Sequence, residues 1–197
     1  MEKLSSDEYK IVLAFFEKAL ENEPEQLSYW FDIGFCQGRL GQWEDAAKAL
    51  EKVVESQPPD PHTLALLGHA YIKVKLYDNA LDVLHQALKL RPKSRTLLYK
   101  LASAHFGKGE LGTAKSLLQE ILKISPNHGK AHFGIGLICY YLDDLPGYQK
   151  QLSVLKDLTP ELSTKLSSLE KTDPERSIGG SIKEKRSTKE NDSALNS

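Results

Sequence analysis

The sequence lacks any long apolar run and carries almost no net charge, and both absences narrow the function. Its first apolar run, residues 11–16, is six residues long inside an amphipathic pattern, so no signal peptide is expected. No stretch approaches the roughly 18 apolar residues that span a bilayer. With 26 Lys and Arg against 27 Asp and Glu, general affinity for nucleic acid or membranes is not expected.

Cysteine is scarce as well. Only Cys36 and Cys139 occur. The repeat described below places them three units apart, well beyond the ~7 Å between Cα atoms that a disulfide allows. We interpret both as buried small apolar residues of a soluble, cytoplasmic protein.

Patterns that carry chemistry are also missing. There is no phosphate-binding loop, no Cys/His nucleophile pair and no separate carboxylate dyad. His128 and His132 have the spacing of two ligands on a helix but no third ligand. His62 and His69 lie about two helical turns apart, near 10 Å, which is too far for one zinc ion. We expect no enzyme, no metal and no cofactor.

What the sequence does contain is a repeat of 34 residues. Prolines follow one another at this interval, and two series of small residues keep the same register until Tyr148 interrupts the second one. The series are Pro24, Pro58, Pro92, Pro126 and Pro160; Gly34, Gly68, Ala102 and Gly136; and Ala46, Ala80 and Ala114. Self-similarity at a fixed period of this length predicts stacked helical hairpins.

Each unit reads as two amphipathic helices, here helix A and helix B, joined by a short turn such as Gly41-Gln42. The glycine of helix A and the alanine of helix B let the two helices cross closely, and the proline ends helix B. In this pattern the chain resembles the tetratricopeptide-repeat (TPR) family, as a bacterial-type stand-alone array. The resemblance implies an all-α fold, a right-handed superhelical solenoid of TPR hairpins with a C-terminal capping helix.

The repeat divides the chain into four parts. Residues 1–24 form an N-terminal half-repeat helix that begins near Ser6, and residues 25–160 form four repeats. Residues 161–171 form the capping helix, and residues 172–197 a disordered polar tail. The repeats are 25–58, 59–92, 93–126 and 127–160. In the last repeat Tyr148 replaces the small alanine, so this hairpin is expected to be splayed or to have its second helix rotated.

In TPR proteins one side of every helix A lines a concave groove that binds peptides. Carrying those positions across gives a groove richer in aromatic residues than the repeat core explains. The candidate groove residues are Phe31, Phe35, His62, His69, Ile72, Tyr99, Phe106, Phe133, Leu137 and Tyr140. One interpretation is a trough for an extended or helical partner segment. The other is that neighbouring turns or the terminal helix cover these rings.

One class of TPR protein is argued against. Co-chaperones that hold a C-terminal carboxylate need Lys, Asn and Arg at set concave positions. Those positions here hold Phe31, Phe35, Leu66, Thr96 and Lys100, and a single lysine does not clamp two carboxylates.

The predicted function is a non-catalytic scaffold or adaptor for protein–protein interaction. Its expected partner is a protein or peptide segment, without nucleic-acid binding or membrane insertion. A small secretion-type or assembly chaperone is the alternative. A homo-oligomer is a third option, because residues 1–58 carry six basic and twelve acidic side chains, whereas residues 89–130 carry nine and two. The basic third repeat is otherwise a solvated outer face or attracts an acidic partner.

Overall fold

The structure is a computed structural model that describes residues 4–56, 58 and 60–172. Within these residues it contains ten helices and no strand, so the predicted all-α solenoid fold is confirmed. The helices are α1 (Ser6–Asn22), α2 (Leu27–Leu40), α3 (Trp43–Ser56), α4 (Pro61–Lys73), α5 (Tyr77–Leu90), α6 (Arg95–Gly107), α7 (Leu111–Ile124), α8 (Gly129–Tyr141), α9 (Leu145–Leu158) and α10 (Pro160–Thr172). Except for Thr172, the last residue of α10, the predicted polar tail lies outside the described residues.

Side-chain caps fix where several helices begin. Ser5 accepts a hydrogen bond from the Glu8 amide while the Glu8 carboxylate accepts one from the Ser5 amide. This capping box starts α1 one residue after the predicted cap. The Asp60 carboxylate accepts from the amides of His62 and Thr63 at the start of α4, where Pro61 needs no partner for a backbone donor.

Every helix A ends in the same left-handed turn. Gly41, Lys75, Gly109 and Asp143, spaced 34 residues apart, have φ of 81°, 65°, 81° and 55°. The amide after each of them donates to the carbonyl five residues earlier at 2.9 Å, for example Gln42 to Gln37 and Asp144 to Cys139. This is the Schellman arrangement, which satisfies a carbonyl that the helix leaves unpaired. It turns the chain into helix B after a fixed number of residues.

The described chain divides into two compact units between Ala131 and His132, inside α8. In the first unit, α1 to α7 pack each against the next. The close crossings occur where the glycines predicted them. A Cβ placed on Gly68 would lie 2.6 Å from the Leu84 Cγ, and one on Gly34 would lie 2.7 Å from the Leu50 Cγ. Leu50 and Leu84 are almost fully buried.

The second unit begins at His132, and its crossing differs. Gln151, not Leu152, lies against Gly136, and Gln151 Oε1 is 2.8 Å from His132 Nδ1. The Tyr148 ring is buried, and its hydroxyl donates to the Leu166 carbonyl of α10 at 3.0 Å. Helix α9 therefore has the rotated arrangement that the sequence left open beside a splayed one.

Two further observations concern the chain as described. Cys36 and Cys139 are buried free thiols. None of the helices in residues 4–172 that the structure describes is long and apolar enough to cross a membrane.

Candidate functional site

Most of the candidate groove residues lie in the first unit, on the helix A of each hairpin. Phe31 and Phe35 are on α2; His62, His69 and Ile72 on α4; and Tyr99 and Phe106 on α6. His62 is exposed and the other six are half-buried. The structure brings them together in pairs at two clefts, described next.

The first cleft lies at the N-terminal ends of α2 and α4. The rings of Phe31 and His62 are 5.8 Å apart, and they border a cavity of about 580 Å³. Its lining is Glu25, Gln26, Leu27, Ser28, Phe31, Asp32, Val53, Asp60, His62 and Thr63. We call it the acidic cleft because three carboxyl groups line it. Burial raises the pKa of the Asp32 carboxyl.

The second cleft lies between α2, α3 and α4 and has a volume of about 480 Å³. Its lining is mostly apolar and consists of Gly34, Phe35, Gly38, Arg39, Trp43, Ala46, Leu50, Leu66, His69 and Ala70. The His69 ring meets the Trp43 ring edge to face, with 5.2 Å between centroids. We call this cavity the Trp43 cleft. Gly34 and Gly38 leave the room for it, since neither carries a side chain.

Basic side chains surround the Trp43 cleft. The Lys73 Nζ lies 5.5 Å from the centre of the Trp43 ring, and Arg39 both lines the cavity and lies over the Tyr9 ring at 5.3 Å. Burial, together with the charges of Lys100 and Lys73, lowers the pKa of His69 to about 4. Burial and the charge of Lys73 lower the pKa of Lys100 to about 8. At neutral pH, His69 is therefore neutral and Lys100 is mostly charged.

Three candidate residues of this unit also serve internal packing. Ile72 packs against the main apolar core, and the Phe35 ring meets the Tyr9 ring edge to face at 6.3 Å. The Tyr99 ring lies 6.4 Å from the His128 ring, and burial raises the pKa of its hydroxyl. Each of these side chains therefore has one face in the protein interior.

The candidate residues of the second unit are contacted by α10. The Lys165 Nζ lies 5.8 Å from the centre of the Phe133 ring. The Tyr140 hydroxyl donates to the Leu169 carbonyl at 3.2 Å, and its ring lies 5.9 Å from that of Tyr148. Leu137 is half-buried. For Phe133 and Tyr140, part of the ring is thus covered by the terminal helix, as the second interpretation of the sequence predicted.

The sequence did not predict three side chains around the Trp43 cleft. Trp43 was assigned to the packing of helix B, and Arg39 and Lys73 were not considered. The period holds the missing signal, because Arg39 and Lys73 are 34 residues apart and so occupy the same position of successive repeats. Across the described residues, no group of three or more His, Cys, Asp or Glu side chains could hold a metal ion.

Comparison with protein-family models gives two matches. The tetratricopeptide-repeat model matches residues 71–134, and the model for anaphase-promoting complex, cyclosome, subunit 3 matches residues 5–87.

The chain is also similar to curated proteins of known name. It is 35% identical over 97 residues to the anaphase-promoting complex subunit cut9 of Schizosaccharomyces pombe. It is 33% identical over 95 residues to the CTR9 homologue of Arabidopsis thaliana. These alignments cover 49% and 48% of this chain but only 14% and 8% of the relatives. The chain therefore spans a small part of the length of the curated relatives it matches.

Solved structures share the fold over most of the chain. YrrB, described as a TPR protein with an unusual peptide-binding site, superimposes with a TM-score of 0.69 at 20% identity, covering 82% of this chain and 84% of YrrB. A crystal structure of MamA gives a TM-score of 0.65 at 18% identity, covering 87% of this chain and 99% of MamA. At these identities the similarity shows the fold.

Proposed function

Because the chain belongs to the tetratricopeptide-repeat family, we propose that it is a scaffold or adaptor that holds a segment of a partner protein against α2, α4 and α6. The Trp43 cleft carries this proposal. It is an open, mostly apolar cavity of about 480 Å³ on the predicted binding side of the repeats. Apolar cavities with a few polar groups at the edge are the usual form of binding sites.

The walls of the cleft are preorganised. Leu50, Ala46 and Ala70 at its base are almost fully buried and belong to the repeat core. Phe35 is fixed by Tyr9, and Trp43 is held between the His69 ring and the Lys73 ammonium. A partner side chain that enters would order few groups of the protein, so little of its binding free energy is lost to conformational entropy. The relative YrrB, which is described as having a peptide-binding site, supports the same use of the fold.

Two experiments test the proposal. Proteins captured from the native host by the full chain are identified by mass spectrometry, and the affinity of the purified partner is then measured. Phe35→Ala combined with Tyr99→Ala should abolish binding while the helical circular dichroism stays unchanged. Phe15→Ala is the matched control, because this ring is exposed on α1 away from both clefts. Equal affinity of all variants would contradict the assignment of the groove.

Phe35 and Tyr99 are half-buried, so a second variant guards against unfolding. Leu66 lines the Trp43 cleft and is half-buried. Leu66→Gln should weaken partner binding without changing the helix content. A partner that binds this variant as tightly as the wild type does not use the cleft.

The proposal includes the absence of chemistry and a cytoplasmic location, which the two buried thiols support. Co-expression with the identified partner distinguishes an adaptor from a chaperone, since only a chaperone should raise the soluble yield of its client. Sedimentation at low and high salt distinguishes a separate partner from a second copy of this chain. A mass that rises with concentration at low salt would indicate self-association.

A further inference from the structure

We propose that the Trp43 cleft selects an acidic segment, in which a bulky apolar side chain lies within about one helical turn of an Asp or Glu side chain. This inference rests on the proposed function and specifies the chemistry of the partner. The apolar side chain would enter the cavity beside Phe35 and Trp43. The carboxylate would meet the basic side chains at its edge, which are Arg39, Lys73 and Lys100.

The first support is that these three basic groups lack a counter-ion. Within the described residues, no printed ion pair or hydrogen bond joins Arg39, Lys73 or Lys100 to a carboxylate, although Lys10, Lys48 and Lys108 each have one. Arg39 and Lys73 instead lie over the faces of Tyr9 and Trp43. Their donors are therefore free to bind an incoming anion.

The second support is the position of Lys100. Arg39 and Lys73 are exposed, and solubility alone could account for them. Lys100 is half-buried, and the protein interior and Lys73 disfavour its charged form, which lowers its pKa to about 8. A charge withdrawn from water without a partner costs free energy, which an anionic ligand would recover. Solubility does not explain a cation in this position.

The third support is the repeat register. Asp32, Leu66 and Lys100 occupy the same position of helix A in three successive repeats. Asp32 lines the acidic cleft and Leu66 lines the Trp43 cleft. The charge at this position therefore changes from negative to positive along the repeats, so an acidic residue would be repelled at one cleft and attracted at the other.

The neutral side chain of His69 also fits this occupant. It lies against Trp43 and near Lys73 and Lys100, yet its pKa of about 4 leaves it uncharged at neutral pH. Because it adds no further positive charge, the attraction depends on Lys73 and Lys100. Both lysines can therefore be tested without a contribution from the imidazole.

The experiment is a selection from a display library of random 12-residue peptides against the full chain at low salt. We expect selected peptides to place Asp or Glu within four positions of Phe, Leu, Trp, Tyr or Met. The enrichment should disappear against the variant with Lys73→Gln and Lys100→Met. Lys100→Met keeps an apolar stem of similar length and removes the charge, so it should not unfold the protein. Lys123→Met, exposed on α7 in the same basic repeat, is the matched control and should retain the enrichment.

Synthetic forms of the best peptide then measure the charge itself. Each is acetylated and amidated, and one form replaces Asp and Glu by Asn and Gln. We expect the amide form to bind about 10-fold or more weakly, as for the loss of one charge-assisted hydrogen bond. A free C-terminal carboxylate should not restore affinity, since the proposal assigns the anion to a side chain. Restoration would overturn that assignment.

The outcomes separate this inference from the proposed function. Peptides that bind equally well as amides, but lose binding with Phe35→Ala, would overturn the acidic preference and leave the groove in place. Enrichment of basic or uncharged apolar peptides would do the same. A selection without any enrichment over the library contradicts both.

Discussion

The close crossing of α4 and α5 gives the sharpest prediction about stability. Gly68→Ala adds a Cβ that would lie 2.6 Å from the Leu84 Cγ and 2.8 Å from its Cδ2. Leu84 is fully buried and has no space to move into. Overpacking of this kind costs about 1–3 kcal/mol, and the better helix propensity of alanine returns about 1 kcal/mol. We expect Gly68→Ala to lower the free energy of unfolding by up to about 2 kcal/mol.

The same substitution should change sign when Leu84 is truncated. Leu84→Ala alone costs about 2–5 kcal/mol because it leaves a cavity. In that background the new Cβ of residue 68 has room, partly fills the cavity and keeps its helix propensity. Gly68→Ala should then raise the free energy of unfolding by about 1 kcal/mol. The coupling between the two sites would be about 2–3 kcal/mol.

Urea unfolding of the four chains, followed by circular dichroism at the helical band, measures this coupling. Gly112→Ala is the matched control, because a Cβ on this helical glycine meets no atom within 4 Å. It should stabilise the protein by up to about 1 kcal/mol, or about 2–4 °C in Tm. The argument from the close crossing is refuted if Gly68→Ala stabilises the wild type as Gly112→Ala does, or has the same effect in both backgrounds.

Two further predictions concern His69 and Tyr148. His69 has its pKa lowered by burial to about 4, so the folded chain resists protonation that the unfolded chain accepts below about pH 6.5; stability is lost as the pH falls through this window. Between pH 7 and 4.5, urea unfolding should show the wild type losing about 1–3 kcal/mol more than His69→Gln, and parallel losses would contradict this. Tyr148→Phe removes the hydrogen bond to the Leu166 carbonyl and should cost about 1 kcal/mol. Hydrogen exchange of the α10 amides should become faster, and an unchanged rate would show that the bond adds no stability.

The fold was predictable because the features that determine it recur at a visible interval. Proline, glycine and alanine are recognisable at their positions, and the family follows from them. The left-handed turns show where this reasoning ends. Gly41 and Gly109 indicate such a turn by residue type, whereas Lys75 and Asp143 adopt positive φ only because the repeat imposes it on them. A single residue type does not carry that information.

The candidate site was predictable only in part. The repeat register placed Phe35 and His69 on the binding side of their helices, and both line the Trp43 cleft. It could not place Trp43 there, because a large aromatic residue on helix B satisfies the core pattern equally well. The burial of Lys100 depends on how α4 and α6 pack, which no local pattern encodes. Binding itself stays a prediction, as does the bacterial origin suggested by the terminal unit.

The turns at Gly41, Lys75, Gly109 and Asp143 have a stereochemical consequence. A positive φ is costly for L-residues and is the preferred region of their mirror images. At one position in each repeat, therefore, the backbone of this all-L protein accepts a D-amino acid. A chemically made chain with D-alanine at 41 and 109 would keep the turns and restrict the unfolded state relative to glycine. Along this array, the handedness preferred by the backbone thus reverses for one residue in every 34.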